Sequence, residues 1–327
     1  MKKITALLCA VLMLLSLAAC GQKQESTPSD NASEKYVVGI CQLVQHEALD
    51  AATQGFKDVL VETFGEDGVK FQEGNASGDS AICATIVDGF VSSGVDLILA
   101  NATASLQAAA AATNEIPVLG TSITEYGVAL EIDGFNGTVG GNISGTSDLA
   151  PLDQQAAMIQ ELFPDAKNIG ILYCSGEPNS VYQADVVKAE LEKADLTVKI
   201  YTFADSNDVA AVTKTACDEN DVLYIPTDNT AASNTEAIAN VVLASNTPVI
   251  AGEAGICRGC GVATLSIDYY ELGKITGQMA AKILNGEADI STMPVEFAPN
   301  VTKQANMANC EKLGITVPAD YTAQSAE

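Results

Sequence analysis

Tyr36-Val37-Val38-Gly39-Ile40-Cys41-Gln42-Leu43-Val44 is an apolar, β-branched run, and Ala48, Leu49, Ala52, Phe56, Val59 and Leu60 follow it at helical spacing. A strand leading into an amphipathic helix is the first part of a βαβ unit. The alternation continues with predicted strands at 69–72, 95–100 and 116–120 and predicted helices at 79–93 and 104–113. Then it restarts. Val38-Gly39-Ile40 returns as Ile169-Gly170-Ile171, and Ile116-Pro117-Val118-Leu119 returns as Thr247-Pro248-Val249-Ile250, both at an offset of 131 positions. Strands at 197–203 and 222–225, with helices near 179–193, 208–217 and 232–244, lie between. Strands alternating with amphipathic helices build parallel sheets covered on both faces. The expected fold class is α/β, with two similar doubly wound parallel-sheet lobes.

Upstream of this pattern, Lys2 and Lys3 precede an apolar run, 4–17, too short to span a bilayer, which ends in Leu17-Ala18-Ala19-Cys20-Gly21. This resembles the lipobox of bacterial lipoproteins, which implies removal of residues 1–19 as a signal peptide and a lipid on Cys20. Residues 20–35 are rich in Gln, Glu, Ser, Asp and Asn, cannot bury enough apolar surface to fold, and read as a disordered tether. Removing 1–19 takes away two lysines and no acids, leaving 14 basic against 42 acidic residues, a net charge of −28. Such a surface repels nucleic acid and anionic headgroups. No second apolar stretch is long enough to cross a membrane. Beyond Cys9 and Cys20 seven cysteines remain, an odd number that argues against a fully paired disulfide framework; Cys41, Cys83, Cys174 and Cys217 sit in apolar segments and read as core.

Ligands of open parallel sheets bind beyond the carboxyl ends of the strands. The segments expected there are polar: 42–46, 101–105, 121–124, 144–148, 175–180, 227–230, 253–255 and 266–268. Any one of them is explained by helix capping, but eight on one rim line a cleft suited to a small zwitterionic or polyhydroxyl ligand.

Gly39 to Asp50, Gly145-Thr146-Ser147-Asp148, Gly176-Glu177-Pro178-Asn179-Ser180, Pro226-Thr227-Asp228-Asn229-Thr230 and Ile267-Asp268-Tyr269-Tyr270-Glu271-Leu272-Gly273 resemble the substrate-binding lipoproteins of ABC importers. They are most similar to the branch that binds tryptophan or phenylalanine. The likeness runs from Tyr36 to Pro318. It implies a periplasmic-binding-protein type 1 fold, two lobes joined by a hinge of three crossing strands, with one lobe at 36–146 plus about 268–292 and the other at 147–267 plus about 293–320. It also implies an amino-acid ligand, delivery to the transmembrane subunits of an ABC permease, anchorage through Cys20 on the extracytoplasmic face, and a monomer.

The rim residues give a chemistry of their own. Arg258 is the chain's one arginine, so a guanidinium clamp for a ligand carboxylate is not expected. Hydroxyls and helix-start N–H groups replace it, with Thr103, Thr121, Ser122 and Ser180 as candidates. For the ammonium, Asp228, Glu253 and Asp268 follow predicted strands; Asp228 beside Asn229 is the first choice, and Asp268 serves equally well as a cap. Gln42, Ser147 and Asn179 complete the expected ligand-binding set, with His46, which either faces the ligand or caps the first helix. Tyr126, Tyr173 and Tyr182 are candidate walls for an aromatic slot. One histidine supports neither a zinc site nor a Ser/His triad. Cys257-Arg258-Gly259-Cys260 lacks a second half-site and reads as a loop disulfide or two free thiols. No phosphate loop or dinucleotide fingerprint is present, so neither an enzyme nor a cofactor or metal is expected. A sugar- or nucleoside-binding lipoprotein of the same fold, or a ligand sensor for a signalling receptor, are the alternatives.

Overall fold

The computed structural model describes residues 36–324, so the expectations for the signal peptide, Cys20 and the tether lie outside the described residues. The first sheet is built on β1 (Tyr36–Gln42), β2 (Val69–Asn75), β3 (Leu97–Asn101), β4 (Val118–Ile123) and β5 (Ile143–Ser147), with the short β11 (Glu296–Phe297) at its edge. Its order is β11-β5-β4-β3-β1-β2, all parallel. The second sheet repeats the plan with β6 (Asn168–Cys174), β7 (Thr197–Phe203), β8 (Val222–Ile225), β9 (Val249–Ala251) and β10 (Ala263–Ile267). It is extended by β12 (Val301–Ala305), antiparallel to β10, and β13 (Thr322–Ala323). In both sheets the second strand in sequence lies outside the first and the third on its other side, so strand order reverses between β1 and β3, and again between β6 and β8.

The strands explain this architecture. Successive residues of β3 face opposite sides of the sheet, yet Leu97, Ile98, Leu99 and Ala100 are all fully buried. Leu97 and Leu99 pack with Phe56, Leu60 and Met279 on one side, while Ile98 and Ala100 pack with Val87, Phe90 and Leu106 on the other. The helices of the first layer are α1 (Glu47–Phe64) and α11 (Tyr269–Leu284); those of the second are α2 (Ser80–Ser93), α3 (Thr103–Ala112) and the single turn α4 (Tyr126–Ala129). The other lobe has the same two-sided core. Its helices are α5 (Leu152–Leu162), α6 (Pro178–Lys193), α7 (Val209–Glu219), α8 (Asn229–Ala232), α9 (Thr235–Ala244), α10 (Ala254–Cys260) and α12 (Met307–Lys312).

Helices α1 and α11 meet backbone to backbone. A Cβ on Gly273 would stand 2.0 Å from the Ala52 carbonyl oxygen, and one on Gly55 would stand 2.1 Å from the Tyr270 oxygen. The contact brings the start of α11, directly after the second crossing between sheets, against the helix that follows β1. The chain passes from one sheet to the other three times: after β5, between β10 and α11, and between β11 and β12. The last passage comes later than the expected boundary at 292, because Glu296 and Phe297 still pair with Thr146 and Ser147 of β5.

Two local readings change. Residues 144–147, expected to follow a strand, are themselves strand β5. Glycine and small hydroxyl residues disguise it, and Gly145 is required because a Cβ there would lie 2.1 Å from the Gly120 oxygen and 2.4 Å from the Tyr126 hydroxyl. The Cys257/Cys260 pair lies on helix α10 rather than in a loop, and all seven described cysteines are buried free thiols. Burial pushes the Cys257 and Cys260 thiols well above the ordinary thiol range, which leaves them unreactive.

Candidate functional site

Segments beyond the strand ends of the two sheets meet, His46 with Asn229 and Thr124 with Gln183, and the polar rim is assembled there. On the first lobe β3 ends at Asn101, and Ala102, with φ +85°, turns the chain into α3. The adjacent β4 bulges between Gly120 and Ile123, and Ser122 has φ +56°. Two non-glycine residues held in left-handed backbone on neighbouring strand ends are strained, by about 1–3 kcal/mol each. That strain places Ser122 at the rim and leaves α3 with no side-chain cap, so its first-turn N–H groups carry no side-chain partner.

On the second lobe, Glu177 and Asp228 knit three loops together. The Glu177 carboxylate accepts hydrogen bonds from Asn229 N (2.9 Å), Asn229 Nδ2 (2.7 Å), Thr230 N (2.8 Å) and Thr230 Oγ1 (2.8 Å). Asn179 Nδ2 donates to the Thr227 carbonyl at 3.0 Å. Asp228 caps α8 by accepting from Ala231 N at 2.7 Å, and its other oxygen accepts from Cys174 N and Ser180 Oγ, both at 2.7 Å. Burial, then the nearby Glu177 charge, holds Asp228 above the usual carboxylate range.

Among the described residues, several contacts span the lobes. His46 Nε2 lies 3.2 Å from Asn229 Oδ1, Gln183 Nε2 donates to Thr124 Oγ1 at 3.3 Å, and Arg258 Nη2 pairs with Glu47 Oε1 at 2.9 Å. At the hinge, the Tyr269 hydroxyl after the second crossing donates to Asp148 Oδ2 at 2.9 Å after the first. The cleft is closed.

What is unsatisfied inside it is informative. Ser122 Oγ and Asp148 Oδ1 are buried without a hydrogen-bond partner. A buried polar atom left unpaired costs about 1–3 kcal/mol, so these two are placed to take a partner the protein itself does not supply. Among the described residues no lysine, arginine or histidine pairs with Asp148, Asp228 or Glu253. Burial pushes Asp148 up to about 6 and Glu253 up to about 7, against the Tyr269 and backbone hydrogen bonds that favour their charged forms.

The expected residues divide by position. Thr103, Ser122 and His46 stand on the first lobe's rim, and Asn179, Ser180, Asp228 and Asn229 form the second lobe's network. Glu253 lies between the lobes, but its oxygens accept from Gly255 N at 2.6 Å and from Ile256 N, capping α10. Three others are engaged within the first lobe or the hinge. The Gln42 amide bonds Val44, Asp50 and Thr53; Thr121 accepts from Thr146 and Thr276; Ser147 Oγ donates to the Thr124 carbonyl. Asp268 is exposed and caps α11 through Glu271 N at 3.0 Å. Of the tyrosines proposed as walls, Tyr126 fits its hydroxyl against Gly120 and Gly145 inside the first lobe, while Tyr173 and Tyr182 pack on the second lobe's core. Asp148, Thr124, Gln183 and Tyr269 were not selected from the sequence. The readable signal for Asp148 was an acid at the end of a glycine- and hydroxyl-rich strand.

Two doubly wound lobes closed over a polar, acid-lined cleft define the class of two-lobed solute-binding proteins. Residues 37–327 match the family model described as ABC transporter substrate binding protein, and the chain belongs to that family. It is a family of solute carriers rather than enzymes, working outside the cytoplasm with a small-molecule ligand and a permease as partners. A tyrosine-binding protein of Clostridioides difficile (strain R20291) is 34% identical over 305 residues, 90% of this chain and 87% of that protein. Among solved structures, an ABC domain in complex with L-Trp from Streptococcus pneumonia is 32% identical with a TM-score of 0.84, over 89% of this chain and 99% of that one. The ligand-free, open structure of a substrate-binding protein with adhesive properties from Clostridium difficile is 34% identical over 89% of this chain and 100% of that one, with a TM-score of only 0.68. At nearly equal identity, this chain superposes better on the tryptophan complex than on the open form, in line with the contacts that span its lobes. A protein from Agrobacterium vitis with bound allitol, at 12% identity and TM-score 0.63, shares the fold alone.

Proposed function

We propose that this protein binds an aromatic amino acid, tyrosine, tryptophan or phenylalanine, between its lobes and delivers it to an ABC importer. The observation that carries this reading is the closed cleft with Ser122 Oγ and Asp148 Oδ1 buried and unpartnered, and acids that no protein cation neutralises. A zwitterion supplies the missing cation for the acids and an acceptor for the Ser122 hydroxyl. Its carboxylate is held by Ser122, Thr103 and the open N–H groups at the start of α3, since Arg258 is engaged with Glu47. Its ring buries roughly 150–250 Å², worth about 4–6 kcal/mol before association costs. The tyrosine-binding relative and the tryptophan complex support the aromatic class.

Closure follows from differential affinity, because the ligand touches both lobes only in the closed state. The same reading places a lipid on Cys20, so that the protein acts while tethered to the membrane's outer face, and intact-mass analysis of the mature chain with an unmodified Cys20 would reject that placement. Mass spectrometry of solute released on denaturing the purified protein tests the ligand class. An aromatic amino acid at about one per chain is expected; a sugar or nucleoside in its place would overturn the assignment.

A further inference from the structure

We propose that Asp148, at the first crossing between the lobes, is the group that holds the ligand's ammonium, so that amine recognition and hinge position are one event. The proposal rests on the amino-acid reading above. Three buried acids compete for the role. Asp228 spends both oxygens inside its own lobe, on Ala231 N, Cys174 N and Ser180 Oγ. Glu253 spends both on the first-turn N–H groups of α10. Asp148 is 4% exposed, and its Oδ1 has no partner.

Its surroundings suit a cation. Oδ2 accepts from the Tyr269 hydroxyl at 2.9 Å, which fixes the carboxylate's orientation, and the Thr124 hydroxyl is close enough to favour the charged form. Glu253 places a second carboxyl nearby. Asp148 N is bonded to the Ile123 carbonyl at 3.1 Å, so Ser122, the proposed carboxylate partner, lies on the neighbouring strand end. A zwitterion's two charged groups are a few ångströms apart, the spacing these two adjacent strand ends provide.

The hinge connection follows from Tyr269. Asp148 follows β5 and Tyr269 opens α11, so their hydrogen bond links two of the three crossings between sheets. An ammonium on Oδ1 neutralises the one charge in that link. The ligand thereby favours the arrangement in which both crossings meet.

The test compares L-tyrosine with 3-(4-hydroxyphenyl)propionate, the same molecule without its amine, by calorimetry on wild type and Asp148→Asn. Wild type should prefer tyrosine by about 30-fold or more, and the variant should bring the two within about threefold, chiefly by weakening tyrosine. A merely structural aspartate would weaken both ligands alike and keep the ratio, which overturns the proposal. Should the variant not fold, a crystal structure of wild type with L-tyrosine decides: an amino nitrogen within about 3.2 Å of Asp148 Oδ1 is required, and one placed elsewhere rejects Asp148. Wild type that binds no amino acid at all, but another class of solute, rejects the functional reading itself.

Discussion

Asp228 and Asp148 each follow a strand at the rim, but their oxygens are used differently, and the variants should behave differently. Asp228→Asn keeps one acceptor for the cap of α8 but presents an amide nitrogen where Cys174 N and Ser180 Oγ now donate. The second lobe should lose about 1–3 kcal/mol of stability, read as a lowered urea midpoint of the ligand-free protein. Unchanged stability with lost ligand affinity would restore Asp228 as the ammonium partner. The buried acids also set a pH dependence. Asp148 at about 6 and Glu253 at about 7 stand above their ordinary values of 3.8 and 4.5, so in that window the folded protein binds protons that the unfolded chain has released. Asp228, raised to about 8, adds to this, while His46, lowered by burial, acts with the opposite sign; with three acids against one histidine, stability of the ligand-free protein falls as pH rises from about 4 to about 8. Tyr269, Glu253 and Tyr126 face Asp148, and none supplies a positive charge to reverse the sign. Thermal melts across that range should show the highest midpoint at the acid end, and a midpoint that climbs toward pH 8 would contradict the assignment. At this scale the sequence located the rim but not the roles. Residue type and order identify an acid after a strand, whereas the choice between cap and ligand depends on which donors lie within 3 Å, and those come from segments as distant as Cys174 and Asp228.

The contact between α1 and α11 fixes the start of α11, just past the second crossing, against the helix that follows β1. With the Gly273 hydrogen facing the Ala52 oxygen, Gly273→Ala forces the helices apart, since a Cβ would stand 2.0 Å from that backbone atom. Overpacking of this kind costs about 1–3 kcal/mol. A chemical-denaturation midpoint lowered by that amount is expected; a neutral or stabilising result would mean the helices can separate freely. The strand–helix alternation and the duplication were legible because apolar β-branched runs such as 36–42 are buried on both faces, a pattern that survives without an alignment. β5 was not legible. Ile143-Ser144-Gly145-Thr146-Ser147 has one apolar residue, and it is a strand because tertiary contact against β4 and Tyr126 demands small side chains there. Likewise the CxxC helix is short, about two turns, and is held by the Glu253 cap and the packing of Cys257 and Cys260.

On the scale of the whole molecule, the bonds between the lobes among the described residues include a histidine–asparagine contact, a glutamine–threonine contact, the Glu47–Arg258 pair and the hinge tie. The Glu47–Arg258 pair is partly exposed, with side chains 42% and 30% accessible, and an exposed pair contributes about 0–1 kcal/mol. Such contacts bias closure weakly, and the ligand has to supply most of the difference between open and closed states, which is the requirement for a protein that must also open to deliver its solute. A net charge of −26 over the full chain leaves the cationic half of the ligand as the half the protein attracts at long range. The central claim is that a zwitterionic aromatic amino acid closes this cleft. Isothermal calorimetry of the ligand-free protein with L-tyrosine, L-tryptophan and L-phenylalanine, beside glucose and adenosine, tests it most directly. The account predicts saturable binding of at least one aromatic amino acid at one per chain, with a negative heat-capacity change from ring burial and no heat from the sugar or nucleoside. Saturable binding of glucose or adenosine with none by the three amino acids would contradict it.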